Sequence, residues 1–214
     1  MNTNNNYRRY SSFLLMLMAM GIWGCSGGVS SVNTPNFKAL PTYAESGKLQ
    51  CVIEIPAGTN HKVEYVPGSN SFEVDQVNGK DRVINFLPYF GNYGFLPSTF
   101  MDPDKGGDGD ALDVLVLSES VPSGTVMEII PLGMIKMKDL GVEDHKVIAV
   151  PADPALRTVK ATEYKDLTPE LIYIIELWFE NYNGHGNILL LGWKNEQKTY
   201  HEIEKWRLKT EDEE

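Results

Sequence analysis

The chain has 214 residues, with 19 basic side chains against 29 acidic ones and a formal net charge of −10. That balance disfavours nucleic acid and anionic lipid as partners, but not an anionic substrate that arrives with metal ions. Two cysteines, Cys25 and Cys51, are too few for a disulfide framework, and the about 170 residues that follow the first 42 suffice for one domain with a sizeable core.

The chain opens "MNTNNNYRRYSSFLLMLMAMGIWGCSGG". Arg8 and Arg9 make a basic start, and residues 13–23 form an apolar run shorter than the roughly 20 residues of a membrane span. Ile22, then Gly24-Cys25-Ser26, resembles a bacterial lipobox. The resemblance implies a leader over residues 1–24, cleavage before Cys25 and lipidation of its sulfur. It also implies export to the cell envelope, with the lipid as the only membrane contact. The alternative is an ordinary signal peptide with a chance cysteine. Loss of the leader takes the charge from −10 to −12, since it holds two arginines and no acid. Cys51 then has no partner and reads as a core residue. Residues 25–42 are rich in Ser, Gly, Asn and Pro and read as a flexible tether, leaving residues 43–214 as a single domain.

The first two-thirds of that domain read as strands. "LQCVIEIP" is apolar and β-branched, and "KVEYV" alternates. "SFEVDQV" and "RVINFL" flank Asn78-Gly79, a two-residue hairpin signal. "LDVLVL", "TVMEIIPLGMIKM" and "KVIAVP" follow between turn clusters, a pattern that predicts a small barrel or sandwich. The period then changes. "LTPELIYIIELWFENYNG" predicts a helix with Thr168 as N-cap, Pro169 in its first turn and Gly184 as its stop. Leu171, Ile174, Ile175, Trp178 and Tyr182 recur at helical spacing as its apolar stripe. A second, more polar helix is expected in "EQKTYHEIEKWRLK", docked through Ile203 and Trp206, and the final "TEDEE" is expected to fray.

The chemistry is concentrated in "GGDGDALDVLVL", where Asp108, Asp110 and Asp113 fall within six positions. Like charges this close repel unless a cation holds them. An EF-hand frame over residues 102–113 fails at its fifth position, Gly106, and is followed by a strand pattern where a helix is needed. Asp139 and Asp144 bracket a turn between two later strands, and Glu54 and Glu64 lie in earlier ones. Lys62, Arg82 and Lys146 accompany these acids, and Lys62 shares a strand face with Glu64. Carboxylates without His or Cys ligands favour Mg²⁺, Ca²⁺ or Mn²⁺. Together with Lys, Arg and Tyr they suit a substrate with phosphate oxygens and multi-metal phosphoryl chemistry.

"DGDALDVLVL" resembles the D-x-D-x-x-D-V-L signature of the soluble family I inorganic pyrophosphatases. "VIEIPAGTNHKVEY", "FLPYFGNYGFLPST", "GMIKMKDLGVEDHKVIAVP" and "FENYN" are similar to further family segments, in family order, over roughly residues 49 to 193. The resemblance implies an OB-like five-stranded β-barrel with helices beside it, a mainly β fold to which the two predicted C-terminal helices belong. It also implies Mg²⁺-dependent hydrolysis of pyrophosphate to two phosphates by a metal-activated water, with several ions per site. By position, Asp108, Asp113 and Asp144 look like ligands of the tightest metal. Asp139 and Asp144 would serve ions that come with substrate, with Glu54 near them. Asp110 matches the general base. Lys62, Arg82, Tyr93, Lys146 and Tyr182 match phosphate-binding positions, and Glu64 and Tyr89 look like their supports. Self-association is implied too, as a hexamer ahead of a dimer. One departure stands out: the family's Tyr-Lys at the end of the long helix is Tyr182-Asn183 here, and no lysine is nearer along the chain than Lys194. The rival reading is a catalytically weak phosphate- or calcium-binding lipoprotein on the same barrel.

Overall fold

The computed structural model describes residues 35–209. The leader, Cys25, the start of the tether and the last five residues lie outside them. Eleven strands and two α-helices follow in chain order. The strands are β1 (Leu49–Ile55), β2 (Val63–Val66), β3 (Ser71–Val74), β4 (Gln76–Val77), β5 (Lys80–Asp81), β6 (Asn92–Phe95), β7 (Asp113–Val116), β8 (Val126–Asp139), β9 (Val142–Glu143), β10 (Lys146–Pro151) and β11 (Ile188–Asn195). The helices are α1 (Pro169–Asn181) and α2 (Glu196–Trp206).

The main sheet runs β1-β6-β7-β10-β8-β11, and β1 also pairs with β8. That last pairing closes five strands into a ring, the expected OB-like barrel. It is possible because β8 has 14 residues, long enough to meet β1 at one end and β11 at the other while β10 runs along it. All neighbours in the ring are antiparallel except β7 and β10, which run parallel with Asp113 opposite Lys146.

Strand alternation builds two cores. Val114, Val116, Val147 and Ala149 face one, which Ile203 and Trp206 of α2 complete. Leu115, Leu117, Ile148 and Val150 face the other, which Ile175, Trp178 and Phe179 of α1 cover. Each such large apolar side chain contributes about 1.5–3 kcal/mol by burial. This double burial explains the nearly continuous apolar run of "LDVLVL". Cys51 is free and buried in the first core.

Both helices begin as expected. Thr168 accepts from the Leu171 amide, and Asn195 caps α2 through the Lys198 amide. The stripe of α1 differs from the expected one. Phe179 is buried with Ile175 and Trp178, whereas Ile174 is 54% exposed and joins Leu87 and Leu177 along an outer apolar groove. Two strand assignments also change. "SFEVDQV" divides: β3 pairs with β2, and only β4 joins β5 around Asn78-Gly79. "RVINFL" is not a strand. It makes one isolated antiparallel bridge, Val83 to His61, in which the Ile84 amide donates to the Asn60 carbonyl, and beyond it the Leu87 carbonyl accepts from the Trp178 indole. β11 has no counterpart among the expected elements. Of the tether expected over residues 25–42, residues 35–42 are described, and they lie against the barrel. Phe37 is buried between Tyr65 and Phe72, and Thr42 donates to the Pro97 carbonyl.

Of the glycines held by close approach, Gly94 is the most crowded. Where β6 pairs with β1, a Cβ on Gly94 would stand 1.8 Å from the Val52 carbonyl oxygen. Gly94→Ala should therefore cost about 3 kcal/mol or more, because only movement of the β1 backbone relieves the clash. Urea denaturation measures it; a loss below about 0.5 kcal/mol would show that the barrel yields there.

Candidate active site

The barrel brings strand ends and loop residues of distant sequence into one cleft of about 260 Å³. Asp108 and Asp110 come from the loop before β7, and Asp113 is the first residue of β7. Asp139 ends β8, and Asp144 and Lys146 stand just before and at the start of β10. Glu54 reaches in from β1, Lys62 and Glu64 from β2 and its approach, and Arg82 from just after β5. Tyr89 and Tyr93 flank and enter β6, and Tyr182 caps the end of α1. All of these residues line the same cleft. So do Lys38 and Tyr65, which the sequence did not single out. Cys25 lies outside the described residues.

The acidic loop is locally built. The Asp110 amide donates to Asp108 Oδ1 at 3.0 Å, and Gly109 adopts φ 84°, the left-handed region open to glycine. The Met101 amide donates to the Asp110 carbonyl at 2.7 Å, which ties the loop to the chain before it. The "DGD" spacing therefore serves a turn as well as a charge cluster.

At the centre, the Lys146 ammonium bridges two acids. It donates to Asp113 Oδ2 at 2.5 Å and to Asp144 Oδ1. Tyr93 Oη donates to the same Asp113 Oδ2 at 2.7 Å. Lys62 lies 5.4 Å from the centre of the Tyr93 ring and 3.5 Å from Glu64. Arg82 pairs with Asp75 at 3.1 Å. Glu54 Oε1 accepts from the Tyr65 amide at 2.8 Å, and Asp110 Oδ1 accepts from Lys38 Nζ at 2.7 Å. Asn183 donates through Nδ2 to Asp139 Oδ2 at 2.7 Å, so the end of α1 faces the cleft. Tyr182 stacks on Trp178 with ring centres 4.9 Å apart and also lines the cleft, so it is both packing and site.

Burial pushes the Glu54 carboxyl up to about 7, against the pull of Lys62. Partial burial, with repulsion from Asp144 and Asp113, pushes the more exposed Asp108 up to about 6. Asp113 is also raised, first by burial, although Lys146 opposes it. Neighbouring protein takes some water from the exposed Asp110 carboxyl and works upward on it too, but the Lys38 ammonium and the Ala111 amide outweigh this and hold it below the ordinary value. Burial alone would lower Lys62 and Lys146; Tyr89 with nearby acids holds Lys62, and Asp113 with Asp144 holds Lys146, above the ordinary range.

The donor set suits a hard cation: oxygen ligands only, and more acids than the local cations offset. Asp139 Oδ1 is buried with no hydrogen-bond partner, a free acceptor inside the acidic cluster. Among the described residues no three acids converge as a closed metal cage. The ammonium of Lys146 stands between Asp113 and Asp144 instead.

The family model for inorganic pyrophosphatase matches residues 51–211. This chain belongs to the inorganic pyrophosphatase family. The family segments quoted above lie within the match. The inorganic pyrophosphatase of Saccharolobus solfataricus is 41% identical over 139 residues, 63% of this chain and 74% of the relative. That of Neisseria meningitidis serogroup B is 36% identical over 143 residues, 66% and 75% of the two chains. Among solved structures, the inorganic pyrophosphatase of Thermus thermophilus superposes with a TM-score of 0.67 at 29% identity, covering 79% of this chain and 95% of that one. The family relation extends over the barrel and both helices.

The raised acids give a pH signature. Glu54 and Asp108 have ordinary values of 4.5 and 3.8, and the fold raises both. Folded protein therefore binds more protons than unfolded protein between those values and the raised ones. This contribution is fully present in acid and is lost as pH rises through about 6 to 7. In chelator, the melting temperature of the wild type should fall more, or rise less, from pH 5.5 to pH 8 than that of Glu54→Gln; His145, which burial holds below the ordinary imidazole value, works in the opposite sense over the same range in both proteins. An identical pH response in the two would contradict this reading of the cleft.

Proposed function

We propose that the chain hydrolyses inorganic pyrophosphate to two phosphates in this cleft, with the labour divided by charge. Asp108, Asp113, Asp139 and Asp144, with Glu54 beside them, would hold Mg²⁺. When bound, such ions supply Lewis-acid stabilisation of phosphate oxygens and acidify a coordinated water. The family is metal-dependent, and the all-oxygen donor set with the orphaned Asp139 Oδ1 supports that assignment. Asp110 orients the attacking water and takes its proton as the bridging P–O bond breaks. Lys62, Arg82 and Lys146 neutralise oxygens of the two phosphoryl groups, and Tyr93 and Tyr182 present hydroxyls to them. Glu64 and Tyr89 hold the cations and tyrosines in place: Glu64 pairs with Lys62, and Tyr89 packs its ring 5.2 Å from that of Tyr93. The observation that carries the reading is the convergence of acids and cations spread from Lys38 to Lys146 on one cleft, in a member of this family.

Phosphate release from pyrophosphate tests it. Activity should require Mg²⁺ and cease in chelator. Asp110→Asn keeps the shape and removes the proton acceptor, so kcat should fall roughly 10²-fold or more while the melting temperature holds. A near wild-type turnover for that variant would remove Asp110 from the role. Phosphate or calcium binding without phosphate release would favour the binding-protein alternative.

Export belongs to the same proposal. A leader over residues 1–24, a lipid on Cys25 and a tether that begins at residue 25 and ends where residues 35–42 pack on the barrel would anchor the domain in the cell envelope. The basic start, the short apolar run and Gly24-Cys25-Ser26 support it. A labelled fatty acid should enter the wild-type chain, and Cys25→Ser should abolish the label; a label that survives would place the lipid elsewhere. Self-association, as a hexamer ahead of a dimer, completes the reading.

A further inference from the structure

We propose that Lys38, from the segment that leads into the barrel, is a positioning residue for Asp110; the inference rests on the role given to Asp110 above. Two groups occupy one oxygen of that carboxylate. Asp110 Oδ1 accepts from Lys38 Nζ at 2.7 Å and from the Ala111 amide at 2.8 Å. Oδ2 is left to face a water and take its proton. The Ala111 bond is local and cannot by itself fix the carboxylate's torsion, since the Asp110 side chain is 67% exposed. Lys38 comes from 72 residues away and supplies a second, independent point of attachment.

An exposed ion pair is ordinarily worth little, about 0–1 kcal/mol, because two long side chains must be ordered to form it. At Lys38 much of that ordering is done by the backbone. Its amide donates to Asn36 Oδ1 at 3.2 Å, and its carbonyl accepts from the Ser98 amide at 3.0 Å. On one side Phe37 is buried, with ring centres 5.3 Å from Tyr65 and 5.1 Å from Phe72. On the other, the Leu40 carbonyl accepts from the Ser98 hydroxyl at 2.8 Å. A solvated tether lysine has no need of such anchorage. An ammonium held over a carboxylate at the mouth of the cleft by a fixed backbone is preorganised, so little ordering is left to the moment of reaction.

The test is steady-state kinetics on Mg²⁺-loaded protein with pyrophosphate as substrate. It compares Lys38→Met, Lys38→Arg, Asp110→Asn and the Lys38→Met/Asp110→Asn double variant. Lys38→Met should lower kcat by roughly tenfold, the scale of one charge-assisted contact, with KM within about twofold and the melting temperature unchanged. Lys38→Arg should recover most of the loss. In the Asp110→Asn background, Lys38→Met should cost less than about twofold more, because a residue that acts through Asp110 has nothing left to position. An unchanged kcat for Lys38→Met overturns the proposal. A raised KM at constant kcat overturns it as well, and makes Lys38 a substrate contact. So does a loss that repeats in full in the double variant. If Asp110→Asn is crippled and Lys38→Met is silent, only the inference about Lys38 fails. If Asp110→Asn is near wild type, the role of Asp110 fails and takes the inference with it.

Discussion

The site depends on one buried lysine. Lys146 is 2% exposed, and an ammonium taken out of water at that depth costs several kcal/mol unless acids meet it. Asp113 and Asp144 do so, and strand pairing decides that they can. Lys146 and Asp113 begin two adjacent parallel strands and stand in register. Asp144 lies two residues earlier on the approach to β10, on the same face. The one parallel pairing in the ring thus sets a lysine between two carboxylates that would otherwise repel each other. A shift of one residue would turn Lys146 toward the core that α2 closes and face Val147 to the acids.

From that pairing the rest of the cleft follows as a problem of charge. The cleft gathers seven acids and four cations. The surplus is negative, and burial makes it worse: Glu54 and Asp113 are raised despite the lysines near them. A fold selected for stability alone would have placed apolar or amide side chains here. Mutual repulsion of this size is the kind of strain that functional sites keep and that bound cations relieve. The tyrosines fit the same logic. Tyr93 donates to Asp113 without adding charge, and its ring lies near both Lys62 and Lys146, where an aromatic face favours a cation.

How far the sequence shows this depends on the range of the contact. β1, β7, β8, β10 and both helices were legible, because each carries its own period and its own caps. The acids of "GGDGDALDVLVL" were legible as a cluster, since the loop that holds them is local. "RVINFL" misled because alternation does not reveal where a backbone's hydrogen bonds go, and the Leu87 carbonyl goes to Trp178, 91 residues away. Ile174 misled for a related reason. Tyr173, Ile174, Ile175 and Leu177 are apolar on more than one face of α1, so spacing alone cannot say which face meets the barrel. Lys38 was invisible. Its neighbours are those of a linker, and the buried Phe37 that fixes it is a single aromatic in a polar stretch. That all the expected acids and cations meet in one cleft rests on five segments read together in order, not on the spacing of any one of them.

Asn183 shows how a departure at one position is absorbed by others. A lysine there would carry charge toward a phosphate. The asparagine instead donates a hydrogen bond to Asp139 Oδ2, and an amide satisfies a carboxylate without neutralising it. Asp139 therefore offers its second oxygen, buried and unpaired. That corner of the cleft leans toward holding a cation rather than gripping an anion. The charge missing from the helix end is not made up by Lys194, which is not among the residues that line the cleft, while Lys38 is. The cleft thus keeps a fourth cation, supplied from the opposite end of the chain and set against Asp110 rather than beside Asp139. The attractive field felt by an incoming anion is redistributed toward Asp110, and the helix end is left to orient the Asp139 carboxylate.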